Sequence, residues 1–207
     1  MTDWIPGLEY EIEQIADGLL LRRNYQHPDF ALFHAPMPTS ETRQKPSDWT
    51  CLWAPETGTL FSDYEVLEKY WVLEISSEGV PNYWIAAPRV NAFSLDRPIV
   101  LDSDIHDAHL EPLPDFTRDS IRLKLSTPAK PPQVLEIDLK TGRSKTLKIA
   151  TPPNGHDESN YRVERAYGIS GDGTRIPLTL TCHRELQLNR NTPVVLTGYG
   201  AYGMSLT

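Results

Sequence analysis

The 207-residue chain reads as mainly β: a partial β-propeller of about two to three blades of antiparallel strands. Three observations carry this. The 18 prolines are scattered between short apolar runs rather than massed in one tract, which suits many turns joining many strands. Apolar and charged residues swap sides with a period of two in Ile121-Arg-Leu-Lys-Leu125 and Val134-Leu-Glu-Ile-Asp-Leu139, the signature of half-buried strands. A pattern of roughly fifty residues recurs along the chain, the length of a propeller blade.

The first two repeats are the clearest. Tyr10-Glu-Ile, Leu19-Leu-Leu21, Phe30-Ala-Leu-Phe33 and Ala35-Pro36 recur as Tyr64-Glu-Val, Trp71-Val-Leu73, Tyr83-Trp-Ile85 and Ala87-Pro88, an offset of about 52 to 54 positions. The third repeat is expected to begin near Phe116, with Ile121 to Leu125 matching the Trp71 strand and Val134 to Leu139 matching the Tyr83 strand. The polar turn Lys140-Thr-Gly-Arg143 then leads to Lys145-Thr-Leu-Lys-Ile149, which completes an antiparallel meander. A blade buries its faces only against its neighbours, so two or three blades leave open ends, and the chain is expected to be incomplete at its start.

The pattern changes after Thr151-Pro-Pro153 and the polar loop at 154–160. Tyr161 to Gly168 and Thr174 to Arg184 predict two strands joined by the turn Ser170-Gly-Asp-Gly-Thr174. Pro193-Val-Val-Leu196 is a short apolar run that runs into the loop Gly198-Tyr-Gly-Ala-Tyr-Gly203, and it predicts a buried strand ending at a functional edge.

Composition excludes several functions. Lys+Arg 20 against Asp+Glu 28 gives a formal net charge of -8, which repels a phosphate backbone, so no nucleic-acid partner is expected. No apolar run approaches the roughly 18 residues of a membrane helix, and Met1-Thr-Asp-Trp-Ile-Pro-Gly7 lacks the basic start and apolar stretch of a secretory signal. No membrane association and a cytoplasmic location are the expectation. Cys51 and Cys182 belong to no C-x-x-C pair and read as two buried or idle thiols. Asp102-Ser-Asp-Ile-His-Asp-Ala-His109 gathers three carboxylates with His106 and His109, residue types that ligate metals. It falls between expected strands with no further ligand marked elsewhere, so it reads as a solvated acidic loop; no metal and no cofactor are expected.

Tyr161-Arg-Val-Glu-Arg165, Gly171-Asp-Gly-Thr-Arg-Ile-Pro177 and Gly198-Tyr-Gly-Ala-Tyr-Gly203 resemble the prolyl oligopeptidase family of serine peptidases, and within it the oligopeptidase B (protease II) branch. The resemblance is loose from Trp4 to Ala150 and close from Tyr161 to Gly203. It implies that residues 1–155 are the last blades of the propeller and that 156–207 are the first strands of an α/β-hydrolase domain. It further implies a serine-type oligopeptidase acting on short peptides by acyl transfer, with cleavage after basic residues in the full enzyme.

The resemblance carries two site residues. Tyr199 matches a tyrosine that donates its phenolic O–H to the oxyanion of the tetrahedral intermediate, and Tyr202 matches a position lining the substrate pocket. The nucleophile, acid and base are absent. A hydrolase of this class needs its serine on a G-x-S-x-G elbow, and the 207 residues contain none. The nearest approach, Gly168-Ile-Ser-Gly-Asp172, reads as a hairpin turn around Ser170, and His183 reads as a structural or surface histidine. The chain alone is therefore expected to be inert. Two other arrangements stay open: a partial-propeller interaction module, or one half of a split peptidase whose second chain carries the triad.

Overall fold

The computed structural model describes residues 5–39 and 45–200. Among them the protein is all-β: three four-stranded antiparallel sheets followed by a two-stranded one, none closed on itself. The first sheet holds β1 (Tyr10–Ile15), β2 (Gly18–Arg23), β3 (Ala31–Ala35) and β4 (Thr50–Trp53) in sequential order. The second repeats the order with β5 (Thr59–Val66), β6 (Trp71–Ser77), β7 (Val80–Ala86) and the short β8 (Arg97–Pro98). The third comprises β9 (Asp107–Glu111), β10 (Ser120–Thr127), β11 (Lys130–Asp138) and β12 (Ser144–Ile149). These are three blades of a partial propeller, each an up-and-down meander. No described helix is long and apolar enough to cross a membrane.

The middle strands show why the sheets stack. In β6, Trp71, Leu73 and Ile75 join Leu20, Leu32 and Phe61 in the core between the first and second blades. Val72, on the opposite face of the same strand, joins Tyr83 and Ile85 of the second blade and Ile121, Leu123 and Leu125 of the third. Successive side chains of a strand point to opposite faces, so one strand supplies two cores. This explains why Leu19-Leu-Leu21 and Trp71-Val-Leu73 are unbroken apolar runs whereas Ile121-Arg-Leu-Lys-Leu125 alternates. Arg122 and Lys124 lie on the face of the third blade turned away from the core. Each large apolar side chain fully buried in such a junction contributes about 1.5–3 kcal/mol relative to exposure.

Polar groups seal the junctions. Arg22 of β2 donates from Nε to the Phe61 carbonyl of the next blade at 2.7 Å and lies 3.7 Å over the Phe30 ring. The Tyr83 hydroxyl lies 2.7 Å from the Ala108 carbonyl and 2.9 Å from Glu74 Oε2, sharing its one proton between two acceptors and bridging the second and third blades. Arg118 and Glu65 pair across the same junction with both side chains largely buried.

Three expectations need correction. The third blade begins at Asp107, not near Phe116, because Ala108 and Leu110 of β9 face its core. The stretch ending at His109 is therefore a loop with exposed acids only over 102–106, and its last three residues belong to β9. His106 is 4% exposed and sits with Nδ1 2.6 Å from the Ser103 carbonyl and Nε2 2.8 Å from the Pro81 carbonyl. Cys51 is exposed rather than buried, while Cys182 is half-buried, and both are free.

Burial pushes the Glu74 carboxyl above the ordinary carboxylate range, against the pull of the Tyr83 hydroxyl. A carboxyl whose pKa is raised by folding stabilises the fold below its unfolded pKa and loses that contribution as pH rises through the folded value. Glu74→Gln keeps an acceptor for Tyr83 and removes the buried charge. The variant is expected to melt above the wild type at pH 8, with the gap closing by pH 4; an equal gap at both values would rule out desolvation as the cause.

Candidate active site

The site is built from the last described segment upward. β13 (Tyr161–Ile169) and β14 (Arg175–His183) pair over nine positions, from Tyr161 with His183 to Ile169 with Arg175. Their turn is closed by Asp172, which accepts from the Thr174 backbone N–H at 2.9 Å and from the Ser170 hydroxyl. These donors favour the ionised carboxylate and hold its pKa at about 2. Ser170 is thus a turn residue, with its hydroxyl committed to the turn. His183 is exposed, edge-on to Tyr161, and has no nucleophile beside it among the described residues.

The hairpin is fastened to the blades just ahead of its start and along its length. His156, just ahead of it, lies with Nε2 2.6 Å from the Ala129 carbonyl of the third blade, and Arg184 N–H donates to the Asn160 carbonyl at 2.7 Å. Arg165, Tyr167 and Arg175 reach Glu78 at the β6–β7 turn of the second blade.

Beyond β14 the chain turns at 184–185 and again at 190–192 and continues to Gly200 without pairing in a sheet. The expected buried strand at Pro193-Val-Val-Leu196 does not form. Val194, Val195 and Leu196 are 76%, 90% and 82% exposed. A buried strand needs neighbours on both edges and both faces, and the described residues offer only a two-stranded hairpin nearby. Tyr199 stands at the end of this run, 49% exposed, with no partner for its hydroxyl among the described residues. A Cβ added at Gly198 or Gly200 would meet nothing within 4 Å, so the ring is held in an open loop. Tyr202 lies outside the described residues.

A second feature was not foreseen. The first strands of the three blades, β1, β5 and β9, carry two carboxylates each and no lysine or arginine. They converge on a groove of about 810 Å³, in which Glu9, Glu11, Glu74 and Asp107 face a single arginine, Arg22, and His109. His109 is exposed and lies 3.2 Å from Asp107. The described residues hold no cluster of three or more His, Cys, Asp or Glu side chains arranged for a metal ion. Of the acids on these strands only Glu11 and Asp107 line the groove, while Glu9 precedes β1 and Glu74 comes from β6, so no spacing along the chain marked it.

Three stacked four-stranded meanders followed by a two-stranded hairpin make a partial propeller with a further segment attached. Comparisons bear this out. The chain is 25% identical over 201 residues to dipeptidyl aminopeptidase BI of Pseudoxanthomonas mexicana, covering 96% of this chain and 27% of that protein. It is 20% identical to protease 2 of Moraxella lacunata, over 95% of this chain and 27% of the relative. The structure of oligopeptidase B from Trypanosoma brucei with covalently bound antipain, in its closed form, superposes with a TM-score of 0.81 at 24% identity, over 95% of this chain and 28% of that one. No family model matches. These relatives are serine peptidases of the prolyl oligopeptidase family, and the chain is similar to them over nearly all of its own length while spanning about 27% of theirs.

Proposed function

We propose that the chain forms the last propeller blades, up to about residue 155, and the first strands of the α/β-hydrolase domain of a serine oligopeptidase that cleaves short peptides by acyl transfer. The single observation that carries this reading is Tyr199, an unpartnered phenol in an open loop that leaves a hairpin docked on the blades. When a serine attacks a peptide carbonyl, negative charge develops on its oxygen. A fixed O–H aimed at that oxygen stabilises the transition state more than the ground state. Tyr199 is the donor, Tyr202 lines the pocket, and the nucleophile and its base lie on residues other than these 207.

The acidic groove supports a preference for basic peptides. Four carboxylates against one guanidinium attract Lys and Arg side chains and disfavour acidic ones. The exposed, unpaired Cys51 suits a reducing compartment, in keeping with the cytoplasm. The exposed run Val194-Val-Leu196 favours a second arrangement, a split enzyme in which a separate chain supplies the covering sheet and the triad.

Labelling with a fluorophosphonate tests the reading. The 207-residue chain alone should take no label. Joined in one polypeptide to the remaining catalytic domain of a relative, it should restore labelling and hydrolyse arginyl fluorogenic peptides at least about tenfold faster than neutral ones. Specific labelling of any serine in the isolated chain would overturn it, and a faster neutral substrate would remove the basic preference.

A further inference from the structure

We propose that Glu78 is the clasp that fixes the β13–β14 hairpin on the second blade, and so positions the loop that carries Tyr199. The inference stands on the contacts of Glu78 alone and holds whether or not Tyr199 is an oxyanion donor.

The argument starts in the turn. Ser77 pairs with Val80, so Glu78 and Gly79 are the whole connection between β6 and β7. Both have positive φ, 50° and 80°. This is the two-residue hairpin turn whose twist matches the strands, and its first position favours Asn, Asp or Gly. A glutamate there goes against the local preference, because its longer side chain gains nothing inside the turn. Where a residue breaks a local rule, the compensating gain lies elsewhere.

That gain is visible across the junction. The Tyr167 hydroxyl donates to Glu78 Oε2 at 2.7 Å, and Arg175 Nη1 lies 3.7 Å from Oε1. Arg165 donates to the Glu78 main-chain carbonyl while its other nitrogen donates to Thr179 Oγ1 at 2.9 Å. Arg175 also stacks over the Tyr167 ring, 3.4 Å from its centroid, so the two groups that meet the carboxylate are held against each other. Three side chains from both strands of one hairpin thus converge on one residue of a blade. Asp or Asn would serve the turn better but would stop one methylene short of Tyr167 and Arg175. Behind the clasp lies a cavity of about 590 Å³, bounded by β7, the loop at 99–106 and the Arg165 and Tyr167 side chains. Glu78 is exposed, so its ionic contact is screened by salt and the clasp can open.

The turn and the clasp make opposite demands, and this separates them experimentally. Glu78→Asn improves the turn and removes the reach. Spin labels on Cys51 and on Glu185→Cys, in a Cys182→Ser background of the full 207-residue chain, report the distance between blade and hairpin. The unaltered residue 78 should give one narrow distribution at low salt that broadens in 1 M NaCl. Glu78→Asn should at least double its width at low salt, with hydrogen exchange of β6 and β7 unchanged or slower. The double variant Tyr167→Phe, Arg175→Gln leaves the turn untouched and should broaden it equally. A distribution as narrow as that of the parent in the double variant overturns the proposal, even if Glu78→Asn does not fold. A narrow distribution in a folded Glu78→Asn chain overturns it too.

Discussion

Tyr199→Phe, made in a full-length enzyme rebuilt around this segment, is expected to lower kcat by about 100 to 1,000-fold, the usual worth of one oxyanion donor. The substitution removes only the hydroxyl. The described structure gives that hydroxyl no partner and leaves the ring about half exposed, so its loss should leave the fold and its melting temperature unchanged. Because the oxygen it serves becomes anionic only as the bond to serine forms, the loss falls on the transition state. KM should stay within about twofold while kcat and kcat/KM fall together. A backbone N–H sharing the oxyanion would soften the drop toward the lower figure. A Phe variant within about threefold of the wild type would reduce Tyr199 to a loop residue.

The second large effect is structural. Trp71 is 2% exposed, sits in the core between the first two blades and stacks on Phe93 at 6.0 Å between ring centroids. Trp71→Ala removes a large buried ring whose surroundings, two facing sheets, cannot collapse around the space. A loss of about 3–5 kcal/mol is expected. Single domains are stable by only about 5–15 kcal/mol, so the variant should lose most of its cooperative unfolding in urea. Leu147→Ala on the outer, exposed strand β12 is the control and should shift stability by no more than about 0.5 kcal/mol. A loss below about 1 kcal/mol for Trp71→Ala would mean that the blades do not share a core.

Much of the fold was legible because blades repeat. The matches of Tyr10 with Tyr64, Leu19 with Trp71 and Ala35 with Ala87 gave the first two sheets, and the alternation at Ile121 and Val134 gave the third. β9 was missed although Asp107-Ala-His-Leu-Glu111 alternates cleanly. Its inward residues include a small alanine, and the flanking charges pointed to a solvated acidic loop instead. Pro193-Val-Val-Leu196 failed for the opposite reason: apolar strength is local, whereas a buried strand exists only where other strands flank it. The tyrosine loop was visible in the sequence only as a motif. The acidic groove and Glu78 were not, because each depends on which residues from separate blades or hairpins are brought together, and spacing along the chain does not encode that.

The two-faced β6 has a consequence for the way such an array is held together. A strand that sends odd residues to one neighbour and even residues to the other stores its apolar energy in the seams rather than in the sheets. One blade alone has no seam, two have one, three have two. Cohesion therefore grows faster than length in a short stack, and the outermost sheets, such as the one bearing the exposed β12, unravel before the middle one. An added blade on either flank stabilises the sheet it covers as much as it adds itself.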